Sequence, residues 1–447
     1  MDLQTLYSLY QKSRGINTDT RSIEPGMLFF ALTGDRFDGH DYVGLALEKG
    51  ALAAVVSRII PGLRDQILVD DVLHTLQLLA HHHRMQFDIP VLGITGSNGK
   101  TTTKELIVRV LARNFRVHYT RGNLNNHIGV PLTLLAMPTD AEFAVIEMGT
   151  NNPGEIAMLS RIAAPNYGLI TNIGKAHLEG LGSLEGVRKE KWSLFDQVSA
   201  TGGVLFINED DERLRDYPYQ QMVRYGIAEH VDYRYALSKS EPYISLSYLG
   251  NEAGIELESS LYGTYNAPNL MAAATVGAFF GVPWDAIREG IMQYRPANQR
   301  SQELEWHGHQ VLLDAYNANP SSMRAAVEHF ASRQQNPKVL ILGDMLELGD
   351  ASVAEHQIIL ELIRLHEWSK VFLVGPLFKA LASGYTAFES VKDMQREDWE
   401  SLLQPASWIL IKGSRGIGLE KLLVRPETSP GAGYFQVEIK ILSYPDQ

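Results

Sequence analysis

Val91-Leu92-Gly93-Ile94-Thr95-Gly96-Ser97-Asn98-Gly99-Lys100-Thr101-Thr102 decides the reading of this chain. Five residues dominated by apolar side chains predict a buried strand, and a glycine-containing turn follows. Beyond it, apolar residues at Leu106, Ile107, Val110 and Leu111 have helical spacing. Strand, loop and helix in that order are the context in which Gly-Lys-Thr reads as a phosphate loop. Gly96 and Gly99 let backbone N–H groups turn inward around phosphate oxygens, and the helix N-terminus adds its dipole. On this reading Gly96, Ser97, Asn98, Gly99 and Thr102 cradle the phosphates. Lys100 places a point charge on the β/γ-phosphates, and the Thr101 hydroxyl binds Mg²⁺. The strict pattern has glycine where Ile94 stands, but Gly96 and Gly99 still allow the loop geometry. The loop argues for nucleotide binding without saying what is done with the nucleotide.

Working outward, short apolar runs alternate with helical patterns. Met27–Leu32, Ala53–Val56 and Gln66–Val69 predict strands, a helix is predicted over Val72–Arg84, and Phe143–Glu147 and Gly168–Asn172 continue the strand series. The last third repeats it with Val311–Asp314, Val339–Gly343, Val371–Gly375 and Trp408–Lys412. Runs of four to six apolar residues between helices belong to parallel sheets covered on both faces. The expectation is α/β, with three domains at 1–87, 88–297 and 298–447 and a hinge at Arg295-Pro296-Ala297-Asn298. The middle domain carries the phosphate loop on a parallel sheet, and the last is a Rossmann-like βαβ series.

Composition agrees. The 447 residues fit several domains of ~150 residues each. The formal net charge of −12 argues against a general nucleic-acid binder. With no cysteine, disulfides, thiolate metal sites and cysteine nucleophiles are excluded. The start of the chain shows no secretory signal pattern, and the apolar stretch from Leu270 to Trp284 is broken by Pro283 and too short to span a bilayer. A cytoplasmic protein without membrane insertion is expected.

Several residues downstream carry chemistry, each with a bland alternative. Glu147 ends a strand beside the loop, where it faces the ligand crevice as a hard oxygen donor for Mg²⁺ or else simply faces solvent. His177 follows another strand end, and a loop histidine is more often a polar surface residue. Lys189 and Lys191 lie on a predicted helix, where the plain reading is a solvated face. His81-His82-His83 invites a metal reading, but adjacent helix residues point in different directions, so an exposed helix end is expected.

Taken together, the blocks Thr95–Thr102, Gly122-Asn123-Leu124-Asn125-Asn126, Glu147-Met148-Gly149, Asn172–Glu179 and Lys191 resemble the Mur ligase family. Thr18-Asp19-Thr20-Arg21, Gly34–Asp38, Asp314–Pro320 and Leu342–Gly349 extend the resemblance over nearly the whole chain. It implies a three-domain enzyme using ATP and Mg²⁺. Lys100 and Thr101 would hold ATP phosphates and a first Mg²⁺, while Glu147, His177 and a carbamylated Lys191 would serve a second. The resemblance further implies that Asn269 contacts adenine, within a block that has Tyr265 where the family more often has His. Arg300 would meet the terminal phosphate and Asp314 would lie near the ribose. Thr20, Arg36 and Phe37 would lie near a uridine diphosphate, and Asn125, Asn126, Tyr316, Asn317 and Asn319 would contact substrate.

The implied reaction joins D-alanyl-D-alanine to UDP-N-acetylmuramoyl-tripeptide through an acyl phosphate, releasing ADP and phosphate for peptidoglycan synthesis. A monomer is expected. Three rivals remain: the ligase adding the third stem-peptide residue, a folylpolyglutamate synthase, and a phosphate-loop switch that ligates nothing. The first typically carries Asp-Asn-Pro-Arg, which this chain lacks. The second lacks a uridine-nucleotide domain at the front.

Overall fold

Apolar runs and amphipathic helices assemble into three principal sheets in the computed structural model, which describes residues 2–35, 37–250 and 254–424. The first sheet is four-stranded and parallel, in the order Ile16–Asn17, Leu28–Phe30, Ala53–Val56, Gln66–Leu68. Helix Val72–Arg84 follows over the range read from the sequence. Asp71 caps it by accepting from the His74 N–H, and Leu76, Leu79 and Ala80 are buried.

The second sheet has nine strands. Its parallel centre places Val91–Thr95 between Tyr167–Ile170 and Phe143–Glu147, with Val117–Tyr119 beyond the latter. On the other side it continues through Val204–Asn208 and Met222–Gly226 to Tyr233–Lys239. Two antiparallel strands, Ser245–Tyr248 and Ile255–Glu258, complete it. These two antiparallel strands were not legible in the sequence, because they alternate polar and apolar residues instead of forming continuous apolar runs. Helix Ala267–Phe279 is buried almost all round, which explains why the most apolar stretch of the chain is a core element. Among the described residues no helix is long and apolar enough to cross a membrane.

The third sheet runs Gln302–Trp306, His309–Asp314, Trp408–Lys412, Lys338–Gly343, Lys370–Val374, Thr386–Phe388. All pairs are parallel except the first. Each face of this sheet has its own apolar core. The core on one of these faces takes in Tyr262 of the second unit, with Leu178 and Tyr243 packed against it, and one continuous core joins Leu28, Phe30 and Val55 of the first sheet to Val130, Leu134 and Ile146 of the second unit.

The histidine triplet corrects an expectation. His83 is buried, with Tyr7 Oη 3.1 Å from its Nδ1, His82 packs edge-on to Tyr7, and His81 Nδ1 lies 3.2 Å from the Ile162 carbonyl. The helix end is thus packed and not exposed, because helix Leu3–Lys12 and the second unit close over it. Among the described residues no group of three or more His, Cys, Asp or Glu side chains could hold a metal ion.

Candidate active site

Sheet order creates the site. The loops leaving the carboxyl ends of Val91–Thr95, Phe143–Glu147 and Tyr167–Ile170 emerge side by side, and loops from the third sheet face them across a cavity of 740 Å³. Its walls include Ser97, Asn98, Gly99, Lys100, Thr101, Thr102, Asn125, Asn126, Glu147, His177, Asn269, Arg300, Asp314, Tyr316, Asn317 and Asn319. Those sequence-derived candidates are brought together although they span more than two hundred residues.

The phosphate loop leads into helix Lys100–Leu111. Gly96 has φ of 149°, and a Cβ there would fall 1.9 Å from Thr171 Oγ1. At Gly99 a Cβ would lie 2.5 Å from Asn269 Oδ1. Only glycine lets the backbone pass so close. Thr171 Oγ1 donates to the Asn98 carbonyl at 2.6 Å, and Asn172 Nδ2 donates to the same oxygen at 2.9 Å, so the neighbouring strand fixes the loop. Lys100 Nζ donates to the Gly96 carbonyl at 2.6 Å. Burial lowers the Lys100 pKa, opposed by the Glu147 charge and reinforced by Arg300.

Register places Glu147 opposite Ile94, within reach of the helix start. The carboxylate is 1% exposed, which excludes the solvent-facing alternative. Thr101 Oγ1 donates to both its oxygens at 3.1 and 3.0 Å, and Asn125 Nδ2 donates at 2.8 Å. Lys104, fully buried, has its Nζ 3.8 Å from Glu147 and donates to the Thr120 carbonyl at 2.6 Å.

His177 adopts a left-handed φ of 53° and is not a surface residue, its side chain being 14% exposed. Its Nδ1 stands 2.6 Å from Glu347 Oε2, yet no aligned hydrogen bond satisfies that buried nitrogen. The imidazole beside it holds the Glu347 carboxyl below the usual range. Glu347, itself at φ 65°, belongs to the cavity wall, as do Lys412 and Arg415. None of the three was singled out from the sequence. The block Leu342–Gly349 was the signal for Glu347, but its chemistry depends on a loop of the third sheet reaching the second.

Lys191 is fully buried and not on a solvated face; Lys189 is the exposed one of the pair. Lys191 Nζ donates to Thr95 Oγ1 at 3.4 Å, behind the cavity, and makes no hydrogen bond to Glu147 or His177. Burial pushes its pKa well below the usual lysine range, and the Lys100 charge adds to this. Its neighbour Glu190 was missed in the sequence. That carboxylate accepts from the N–H groups of Gly154 and Ile156 at 2.7 Å each and from Thr150 Oγ1 at 3.2 Å, fixing the loop after Glu147.

Asn269 donates to Asn266 Oδ1 at 2.8 Å and accepts from Thr103 Oγ1 at 3.0 Å, so both ends of its amide have partners. Asn126 Oδ1 accepts from the N–H of Gly129 at 2.8 Å, at the start of helix Gly129–Leu135. Asn319 caps helix Pro320–Ser332 through Ser322, while its Nδ2 donates to Asn98 Oδ1 at 2.7 Å, tying the third unit to the phosphate loop. Thr20 and Phe37 do not line this cavity; Thr20 is buried in the first unit and Phe37 is exposed there. Arg36 lies outside the described residues.

The donor set fits ATP and Mg²⁺. The glycine cradle opens on a helix N-terminus suited to phosphate. Thr101 and Glu147 offer hard oxygens, and His177 Nδ1 lacks an aligned partner. So few protein ligands suit Mg²⁺, which keeps waters and phosphate oxygens in its shell.

A phosphate loop at the carboxyl ends of a parallel sheet, faced by charged groups from a second α/β sheet, defines a nucleotide-binding protein of the P-loop class. The model of the Mur ligase middle domain matches residues 94–277, that of the Mur ligase glutamate ligase domain residues 299–415, and that of the Mur ligase family catalytic domain residues 12–84. The chain belongs to the Mur ligase family. It is 39% identical over 424 residues to the UDP-N-acetylmuramoyl-tripeptide–D-alanyl-D-alanine ligase of Bacillus subtilis (strain 168), covering 92% of each chain. The crystal structure of MurF from Acinetobacter baumannii is similar at a TM-score of 0.84 and 30% identity, over 94% of this chain and 97% of that one. MurF ligase from Thermotoga maritima, solved in complex with ADP, gives a TM-score of 0.82 and 27% identity over 93% and 97%.

Proposed function

We propose that this protein is an ATP-dependent ligase joining D-alanyl-D-alanine to UDP-N-acetylmuramoyl-tripeptide, giving UDP-MurNAc-pentapeptide with ADP and phosphate. The observation that carries this is one cavity in which a phosphate loop, a buried carboxylate and an arginine of the third unit converge, in a chain 39% identical to a relative of that name.

The γ-phosphoryl group moves to the tripeptide carboxylate, and the dipeptide amine then displaces phosphate from the acyl phosphate. Lys100, the backbone N–H groups of residues 96–102 and Arg300 neutralise charge on the phosphates as it develops. Thr101 would hold a first Mg²⁺, and Glu147, His177 and Lys191, the last as a carbamate, would hold a second. A bound Mg²⁺ supplies further charge stabilisation at the phosphoryl oxygens. Burial favours the neutral Lys191 amine, whose nitrogen forms a bond to the carbon of CO₂ as one C=O π bond opens onto oxygen; the N–H proton passes to water, and a carboxylate remains on a long arm.

Asn269 and Asp314 serve the adenosine side, and Asn125, Asn126, Tyr316, Asn317 and Asn319 the peptide substrates. Thr20, Arg36 and Phe37 bind the uridine diphosphate. Residues 1–87, 88–297 and 298–447 act as uridine-nucleotide, ATP and closing domains, and closure keeps water from the acyl phosphate. The protein works as a cytoplasmic monomer.

Offering UDP-MurNAc-tripeptide and ATP with either D-Ala-D-Ala or single amino acids tests the reading. ADP release should depend on the dipeptide, and product mass should rise by two alanine residues. Ligation of lysine or diaminopimelate alone would overturn it in favour of the ligase one step earlier.

A further inference from the structure

The segment carrying Arg300 runs against the preferences of its own residues. Asn298, Gln299 and Ser301 have φ of 57°, 60° and 47°. Asparagine tolerates this region, but glutamine and serine do so less readily, and such conformations persist where the surroundings over-determine them. The surroundings are the end of strand His309–Asp314 and the residues after it. The Ser301 N–H donates to Asp314 Oδ1 at 3.1 Å, and the Tyr316 N–H donates to the Gln299 carbonyl at 3.2 Å. Between these two anchors, the Arg300 guanidinium lies 3.6 Å from the centroid of the Tyr316 ring. The Asp314 anchor is itself held. Lys412 is 2% exposed, is the register partner of Asp314 on the adjacent parallel strand, and donates to Asp314 Oδ2 at 2.5 Å. With one oxygen fixed by the ammonium, the other keeps its direction toward Ser301.

We infer that Lys412 is a positioning residue for phosphoryl transfer: through Asp314 it fixes the bent segment 298–301 and so aims Arg300 across the cavity at the phosphate loop. This rests on the reading that Arg300 meets the terminal phosphate. Arg300 and Lys100 line the same cavity. Displacing a charge-neutralising group by about an ångström costs about 10²-fold in rate.

Two measurements test it. In ligand-free protein, tryptic cleavage after Arg300 should quicken about tenfold in Lys412→Met, since the segment loses its anchor; an unchanged rate overturns the inference. With all substrates, kcat should fall about 10²-fold in Lys412→Met. The double variant Lys412→Met/Arg300→Met should be no slower than Arg300→Met alone, because both changes remove one function. Reductions that multiply would overturn the positioning role and assign Lys412 an independent one. Wild-type kcat in Arg300→Met would instead refute the phosphate role of Arg300, leaving the cleavage result to judge the anchor. Should Lys412→Met melt early because Asp314 is left unpaired, Lys412→Met/Asp314→Asn removes both charges and serves the cleavage assay in its place.

Discussion

At the residue scale, burial converts ordinary side chains into chemical ones. Lys191 is the sharpest case: the same residue on the exposed face of its helix, like Lys189, would be a solvated cation. Fully buried against Thr95, it is held toward the neutral amine by desolvation. If that amine is carbamylated, Lys191→Ala should lower kcat by about 10²-fold or more, and a short-chain carboxylic acid should restore part of the rate by supplying a substitute oxygen. Stripping CO₂ from the buffer should slow the wild type and leave the variant unaffected. Wild-type turnover in Lys191→Ala would refute the role.

At the element scale, the phosphate loop works because two strands and a helix agree on its path. The strand, the loop and the helix were each legible, since apolar period and glycine placement are local properties. The close approach of Thr171 to Gly96 was not, because it depends on Tyr167–Ile170 pairing beside Val91–Thr95. Gly96→Ala would place a methyl group 1.9 Å from Thr171 Oγ1 at a φ of 149°, so the loop must shift. The expected outcome is loss of ADP binding by calorimetry and a stability loss of about 1–3 kcal/mol by denaturant titration. Binding retained at wild-type affinity would show that the loop is not the nucleotide site. The antiparallel strands Ser245–Tyr248 and Ile255–Glu258 escaped the sequence reading because they lack an unbroken apolar run.

On the scale of the whole molecule, the first two units share an extensive apolar core, whereas the second and third meet through the Tyr262, Leu178 and Tyr243 side chains and through polar contacts. Lys175–Glu355 at 2.5 Å, His177–Glu347 and Asn98–Asn319 are of this kind. Polar contacts separate at lower cost than apolar ones, which is compatible with the domain closure proposed above. Histidines removed from water contribute to the acid response. Burial lowers the pKa of His83, His118 and His356, and that of His329 to about 4. Unfolding exposes them to water, where each takes up a proton below pH ~6.5. The unfolded state therefore binds more protons between pH ~6.5 and the lowered folded values, and stability falls as pH falls through that window. Melting temperature should decline from pH 6.5 toward 4, with a shallower slope in His329→Leu. A flat profile in the wild type would contradict the assignment.

The α/β class, the phosphate loop with its following helix, and the family blocks that hold most of the cavity-lining residues are legible without any coordinates. Those features are written in adjacent residues, as period, glycine spacing and short motifs. Folding adds that Glu147 meets Thr101, that Lys191 is buried while Lys189 is not, and that Glu347 and Lys412 belong to the cavity. Each depends on strand order, on register, or on a loop of the third sheet reaching the second. Pairing between distant segments sets these, and no local pattern encodes which strand lies beside which.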